Sequence, residues 1–257
     1  MRVQPAIPRA IAFVDGQNLF YAAKEAFGYR YPNYDAAKLA GGICRLQSWS
    51  LEQTRFYTGI PDSVRSPFWH AFWSAKLSLM GKQGIVVFSR TLRYRTRTVR
   101  LPDGSEYAFQ TAEEKGIDVR IALDVIRLCR SGAYDVALIF SQDQDLSEVA
   151  EEVRVIARER ERWVKLASAF PCSPASPNRR GIEKNRLDPD GPESLRQLPG
   201  PSGLPPRGVA RGSSGRYAAG RGSAKLIILS RGRGKRETRP HCFGLISENP
   251  ERKGCPG

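Results

Sequence analysis

The sequence predicts an α/β fold: a mostly parallel sheet flanked by helices, with an inserted β-hairpin and a C-terminal tail of different character. Three observations predict it. Continuous apolar runs recur at residues 9–15, 85–88 and 135–140, as buried strands of a parallel sheet require. Stretches with apolar residues at helical spacing separate them. The composition then changes abruptly at Pro171, where the pattern stops.

Taken in order, residues 9–15 form the first strand, which ends on Asp15 and turns at Gly16. A helix follows over 18–27, with Leu19, Phe20 and Ala23 available to one face. A second helix spans 35–49 with Asp35 as its N-cap, although the Gly41-Gly42 pair weakens it. Residues 55–58 make the next strand and 59–63 a turn. Residues 68–79 place Phe68, Phe72 and Leu79 at helical spacing and close at Gly81; residues 85–88 are the third core strand. Residues 89–112 break the alternation. A Thr/Tyr/Val-rich stretch, the turn residues Pro102, Asp103 and Gly104, and then residues 106–109 predict a hairpin. An amphipathic helix over 115–130, a strand over 135–140, a helix over 146–161 and a strand over 163–170 complete the alternation.

This divides the chain into one domain, residues 1–170, and an Arg/Gly/Pro-rich tail, residues 171–257. The tail holds 14 Gly and 12 Pro, a composition expected to be disordered, and only residues 226–229 suggest a short strand. An irregular sequence after so sudden a break is also what a frameshift in a GC-rich gene would produce. Charge is as unevenly spread as composition. Residues 1–170 carry 24 Lys+Arg against 19 Asp+Glu, and residues 171–257 carry 17 against 7. Such basicity favours polyanionic partners. The runs of arginine and glycine at 211–216 and 231–236 resemble RNA-binding segments in composition.

Several function classes recede. No run of about 18 apolar residues exists to cross a membrane, and the short apolar stretch in residues 1–14 leads into a polar turn rather than a cleavage site. The five cysteines have no C-x-x-C spacing, so structural zinc and a disulfide framework are not expected, and a reducing, cytoplasmic setting is. With only His70 and His241, hydrolytic chemistry must rest on carboxylates.

Those carboxylates fall where an open parallel sheet places its sites, at the carboxyl ends of strands. Asp15 ends the first strand, Asp143 and Asp145 follow the strand 135–140, and Asp118 lies in the first turn of the helix 115–130. Each alone reads equally well as a cap or turn former. Together they are a cluster that like-charge repulsion would destabilise and that a hard cation, Mg²⁺ or Mn²⁺, would satisfy. Asp124, six residues beyond Asp118, lies about 240° round the helix and is expected to be structural.

Three segments, residues 11–19, 114–124 and 137–146, resemble in order the motifs of the NYN domain, the LabA-like branch of the PIN-like nucleases; the resemblance covers residues 9 to about 170. It implies a PIN-like, Rossmannoid fold and a metal-dependent endoribonuclease. It gives Asp15, Asp118, Asp143 and Asp145 metal-binding or water-activating roles, and makes Asn18 an orienting polar group. Family members often have Gly or Asn where Gln142 stands.

Substrate contacts are expected from Arg93, Arg95 and Arg97, which alternate and so share one strand face. Lys115, close to Asp118, is a further candidate for a phosphate. Such a stripe suits single-stranded RNA, although it also suits a solvated hairpin. The rival to a nuclease is a non-catalytic RNA-binding or regulatory module on the same fold. Homo-oligomerisation is left open.

Overall fold

A computed structural model describes residues 2–32, 34–172, 181–182 and 225–230. The expectations for the rest of the tail lie outside the described residues. Five strands run parallel in the order β3 (Val86–Thr91), β2 (Ser50–Ile60), β1 (Arg9–Asp15), β6 (Val136–Phe140), β7 (Lys165–Cys172). The tail adds β8 (Lys225–Ser230), antiparallel to β7, where the short strand was expected.

The pleat of β1 explains the layering. Ala10, Ala12 and Val14 face a core shared with α1 (Gly16–Phe27), α2 (Ala36–Leu46) and α3 (Pro67–Lys82), through Leu19, Leu39, Ile43, Leu77 and Met80. Ile11 and Phe13 point the other way, onto Ile117, Ile121 and Val125 of α4 (Ile117–Arg130) and Val149, Val153 and Ile156 of α5 (Ser147–Glu159). Strands buried on both faces cannot alternate polar and apolar residues, which is why their sequences read as unbroken apolar runs.

The chain winds outward from β1 to β2 and β3, then returns to build β6 and β7 on the other side. The order reverses between β1 and β6, and the crevice beyond their carboxyl ends is where such sheets hold ligands.

Local differences from the sequence reading have physical causes. Gly41 and Gly42 do not break α2: Gly42 is buried there, and the Asp35 side chain accepts the Lys38 N–H at 2.9 Å as the expected cap. The turn expected over 59–63 begins later, because β2 extends to Ile60 in register with Thr91. Gly81 does not close α3, which continues to Lys82. The expected hairpin is a separate two-stranded ribbon of β4 (Arg93–Arg100) and β5 (Glu106–Glu113) between β3 and α4. Leu92 N–H donates to the Ile60 carbonyl at 2.9 Å, and Gly59 N–H donates to the Glu114 carboxylate, so both legs are tied to the end of β2.

A candidate metal-binding cleft at the end of the sheet

Asp15 reaches the crevice because β1 ends there and α1 begins at once. Its Oδ1 accepts the Asn18 N–H at 2.9 Å, capping α1. This turn lies hard against β2. A Cβ on Gly16 would stand 2.6 Å from Phe56 Cζ and 3.0 Å from the Tyr57 carbonyl, so only glycine fits. The buried Tyr34 hydroxyl donates to the Gly16 carbonyl at 2.9 Å and holds the turn from the other side.

The loop after β6 is bound to the same place. Gln142 N–H donates to Asn18 Oδ1 at 3.1 Å, which joins the first turn of α1 to the segment carrying the next acids. Asp143 N–H donates to Ser141 Oγ at 3.1 Å, and the Asp143 carboxylate accepts the Asp145 N–H at 3.0 Å to cap the 3-10 turn Gln144–Leu146. Gly116, with φ of 73°, precedes α4 and puts Asp118 in its first turn.

The result is a cleft of about 280 Å³ lined by Asp15, Gln17, Asn18, Tyr21, Glu114, Asp118 and Asp143. Three of the four expected acids therefore share one wall system. The fourth does not: Asp145 is exposed and is not among the lining residues. Asn18 lines the cleft, while Lys115 is exposed outside the lining. Asp124 is buried at 2% exposure on the face toward β2. There it accepts from Arg55 Nη2 at 3.0 Å, Tyr57 at 2.9 Å, and Arg120 and Arg127 at 3.2 Å each. Burial alone would raise its pKa, but the Tyr57 hydroxyl and the Arg55 guanidinium outweigh it and hold the carboxyl below the ordinary value.

Glu114 is the acid that the sequence reading quoted but gave no role. It follows β5 directly, and its carboxylate accepts from Gly59 N–H. A Cβ at Gly59 would meet Leu92 Cδ2 and Glu114 Oε2, so glycine there makes room for it. Its position one residue after a strand was the available signal, obscured because that strand was expected to end at residue 109 and runs on to Glu113.

Electrostatics bind the acids into one system. Burial first, and then the charges of Asp143 and Asp118, push Asp15 up to about 6 against the pull of the Asn18 N–H. Burial, followed by Asp15 and Asp118, pushes Glu114 up to about 7. Crowded oxygen donors that repel each other suit a hard divalent cation. Among the described residues, however, no three metal-ligating side chains already converge on one point. The acids fit such an ion by donor type and charge, and they surround the cleft rather than closing on its centre.

The arginine stripe takes the expected form with one change. Arg93, Arg95 and Arg97 are exposed on one face of β4, but Arg95 and Arg97 pair with Glu113 across the ribbon, at 3.4 and 2.7 Å. His70 Nδ1 meets the Pro61 carbonyl at 2.8 Å, away from the acids, in a structural contact.

A doubly covered parallel sheet with carboxylates gathered at its switch point is the PIN-like class of α/β fold. The chain belongs to the NYN domain family, whose pattern matches residues 9–176; these domains are generally nuclease-like. No curated protein matched. Among solved structures, the chain is similar to a protein of unknown function from Vibrio parahaemolyticus, at 21% identity and a TM-score of 0.33 over 62% of this chain and 81% of that one. No helix among the described residues is long and apolar enough to cross a membrane.

Proposed function

We propose that this protein is a metal-dependent endoribonuclease of the LabA-like branch, hydrolysing RNA phosphodiester bonds at the cleft between β1 and β6. One observation carries the reading: Asp15, Glu114, Asp118 and Asp143, from three separate segments, line a single cleft in which Asp15 and Glu114 are pushed up to about 6 and about 7. Asp15, Glu114, Asp118 and Asp143 would hold Mg²⁺ or Mn²⁺, with Asp145 beside them on the loop after β6. When bound, such an ion lowers the pKa of water and neutralises charge on a phosphoryl oxygen. The chain's own residues do the rest. Asn18 fixes the Gln142 amide and with it the position of the Asp143 loop, and Gly59 N–H orients Glu114. The exposed arginines beyond the cleft and Lys115 supply positive charge for phosphates on either side of the cut.

The test is cleavage of single-stranded RNA with Mg²⁺ or Mn²⁺ by the wild type and by Asp15→Asn and Asp143→Asn. Metal-dependent product from the wild type alone is expected; equal cleavage by all three overturns the site assignment. A second reading, an RNA-binding module without turnover, draws on the open spacing of the acids and on the capping duties of Asp15 and Asp143. It predicts salt-sensitive RNA binding that both substitutions leave intact, with no metal-dependent product.

A further inference from the structure

The β4–β5 ribbon has two unlike faces. Directly paired residues share a face, so the register of Arg93 with Glu113, Arg95 with Thr111, Arg97 with Phe109 and Val99 with Tyr107 puts all eight on one side. The opposite face is docked near its base: Tyr94 accepts from Asp62 N–H, Arg65 lies 4.7 Å over the Tyr94 ring, and Arg65 also donates to Gln110. Among the described residues no hydrogen bond or ring contact from outside the ribbon meets the first face, although the Thr111 hydroxyl is covered. Tyr107 is 59% exposed, and its ring stacks with that of Phe109, centroids 6.1 Å apart and planes 20° from parallel.

A near-parallel ring pair with Tyr107 exposed and Phe109 half-buried is costly to leave in water, and here it stands beside three arginines. Glu113 is the one acid on this face, leaving it with a net positive charge. Pairing with Glu113 does not exhaust the arginines. A guanidinium carries five donors, and Arg95 and Arg97 keep 57% and 60% of their side-chain surface exposed. Aromatic planes interleaved with cations match a chain of flat bases joined by phosphates. A protein partner would have to set carboxylates at the spacing of the arginine stripe as well as cover the rings.

We propose that this face is a platform for unpaired bases of single-stranded RNA, with Tyr107 and Phe109 stacking on bases and Arg93, Arg95 and Arg97 meeting the phosphates. The proposal rests on the reading of RNA as substrate, which it sharpens to a single strand with accessible bases and no fixed sequence. Continuity with the cleft supports it. Phe109 is four residues from Glu113, roughly 14 Å along the strand, and the next residue, Glu114, lines the acid cleft. A strand stacked on the ribbon would thus be led toward the acids.

The experiment measures binding of the full chain, in EDTA, to two fluorescent probes of equal length and charge: an oligouridylate and its abasic counterpart. The wild type is expected to prefer the base-bearing probe by about tenfold or more. Tyr107→Ala with Phe109→Ala should weaken oligouridylate binding by about 10- to 100-fold and leave abasic binding within about twofold. The exchange Tyr107→Phe with Phe109→Tyr should retain the preference. An alanine pair that keeps the preference overturns the proposal. So does a Tyr107-dependent dimer in sedimentation without RNA, since the face would then serve a second copy. No divalent ion is present, so the two readings fail separately: a wild type that shows no preference for bases yet cleaves RNA removes the platform alone, and a wild type that prefers bases without cleaving removes the nuclease alone.

Discussion

Replacing Asp15 by Asn tests whether the acid cluster is electrostatically strained before any cation binds. Asparagine keeps the shape and the Oδ1 that accepts the Asn18 N–H, and removes only the charge. In the folded chain Asp15 is pushed from 3.8 up to about 6, by burial first and then by Asp143 and Asp118. The native state therefore holds the proton over a range in which the unfolded state has released it. Stability contributed by this group falls as pH rises from about 4 to about 6, and stays low above that. A shift of about two units corresponds to about 3 kcal/mol, and relaxation around a crowded pair brings the expected effect to about 1–3 kcal/mol. Urea unfolding in EDTA should thus show Asp15→Asn more stable than wild type by that amount at pH 8, with the gap closing below pH 4. Adding Mn²⁺ should narrow it from the other side, since a ligand at 100 times its Kd adds about 2.7 kcal/mol and the variant has lost a donor. Equal stability of the two proteins at pH 8, or a less stable variant, would refute the reasoning.

Other outcomes follow from contacts already described. Asp124→Ala strands the Arg55 guanidinium, whose side chain is 10% exposed, and should cost about 3–5 kcal/mol in chemical denaturation. Gly16→Ala sets a methyl group 2.6 Å from Phe56 Cζ and should cost about 1–3 kcal/mol, lowering the thermal midpoint. Asp145→Asn, at an exposed side chain outside the cleft lining, should keep RNA cleavage within about threefold of wild type, while Asp143→Asn loses about 100-fold or more; comparable losses would place Asp145 inside the working site.

Much of this fold was legible because buried strands announce themselves. The runs at β1 and β6 have no polar position to spare, and Asp15 at the end of β1 and Ser141 just past β6 mark the switch point. Asp118 and Asp143 could be placed from helix and strand ends for the same reason. What stayed hidden depends on side-chain direction. Nothing in the spacing of Asp143 and Asp145 says that the 3-10 turn, capped by the first and containing the second, leaves one on the cleft wall and the other exposed. Glu114 was missed because its neighbour Glu113 belongs to the ribbon and pairs with arginines, and a doublet of acids gives no sign that its members face different ways. The length of β2 was underestimated because its first half, Ser50–Gln53, is polar and only partly covered.

The narrow neck of the ribbon has a consequence for how such proteins diversify. Its two legs are fastened to adjacent residues, Gly59 and Ile60, and no residue from Arg93 to Glu113 belongs to either core. Change in that segment beyond the docked residues Tyr94 and Gln110 is insulated from folding. Its length, charge and rings can drift or be exchanged between relatives while the acids keep their scaffold. With the ribbon as the proposed RNA platform, substrate preference would evolve in this domain as a detachable part.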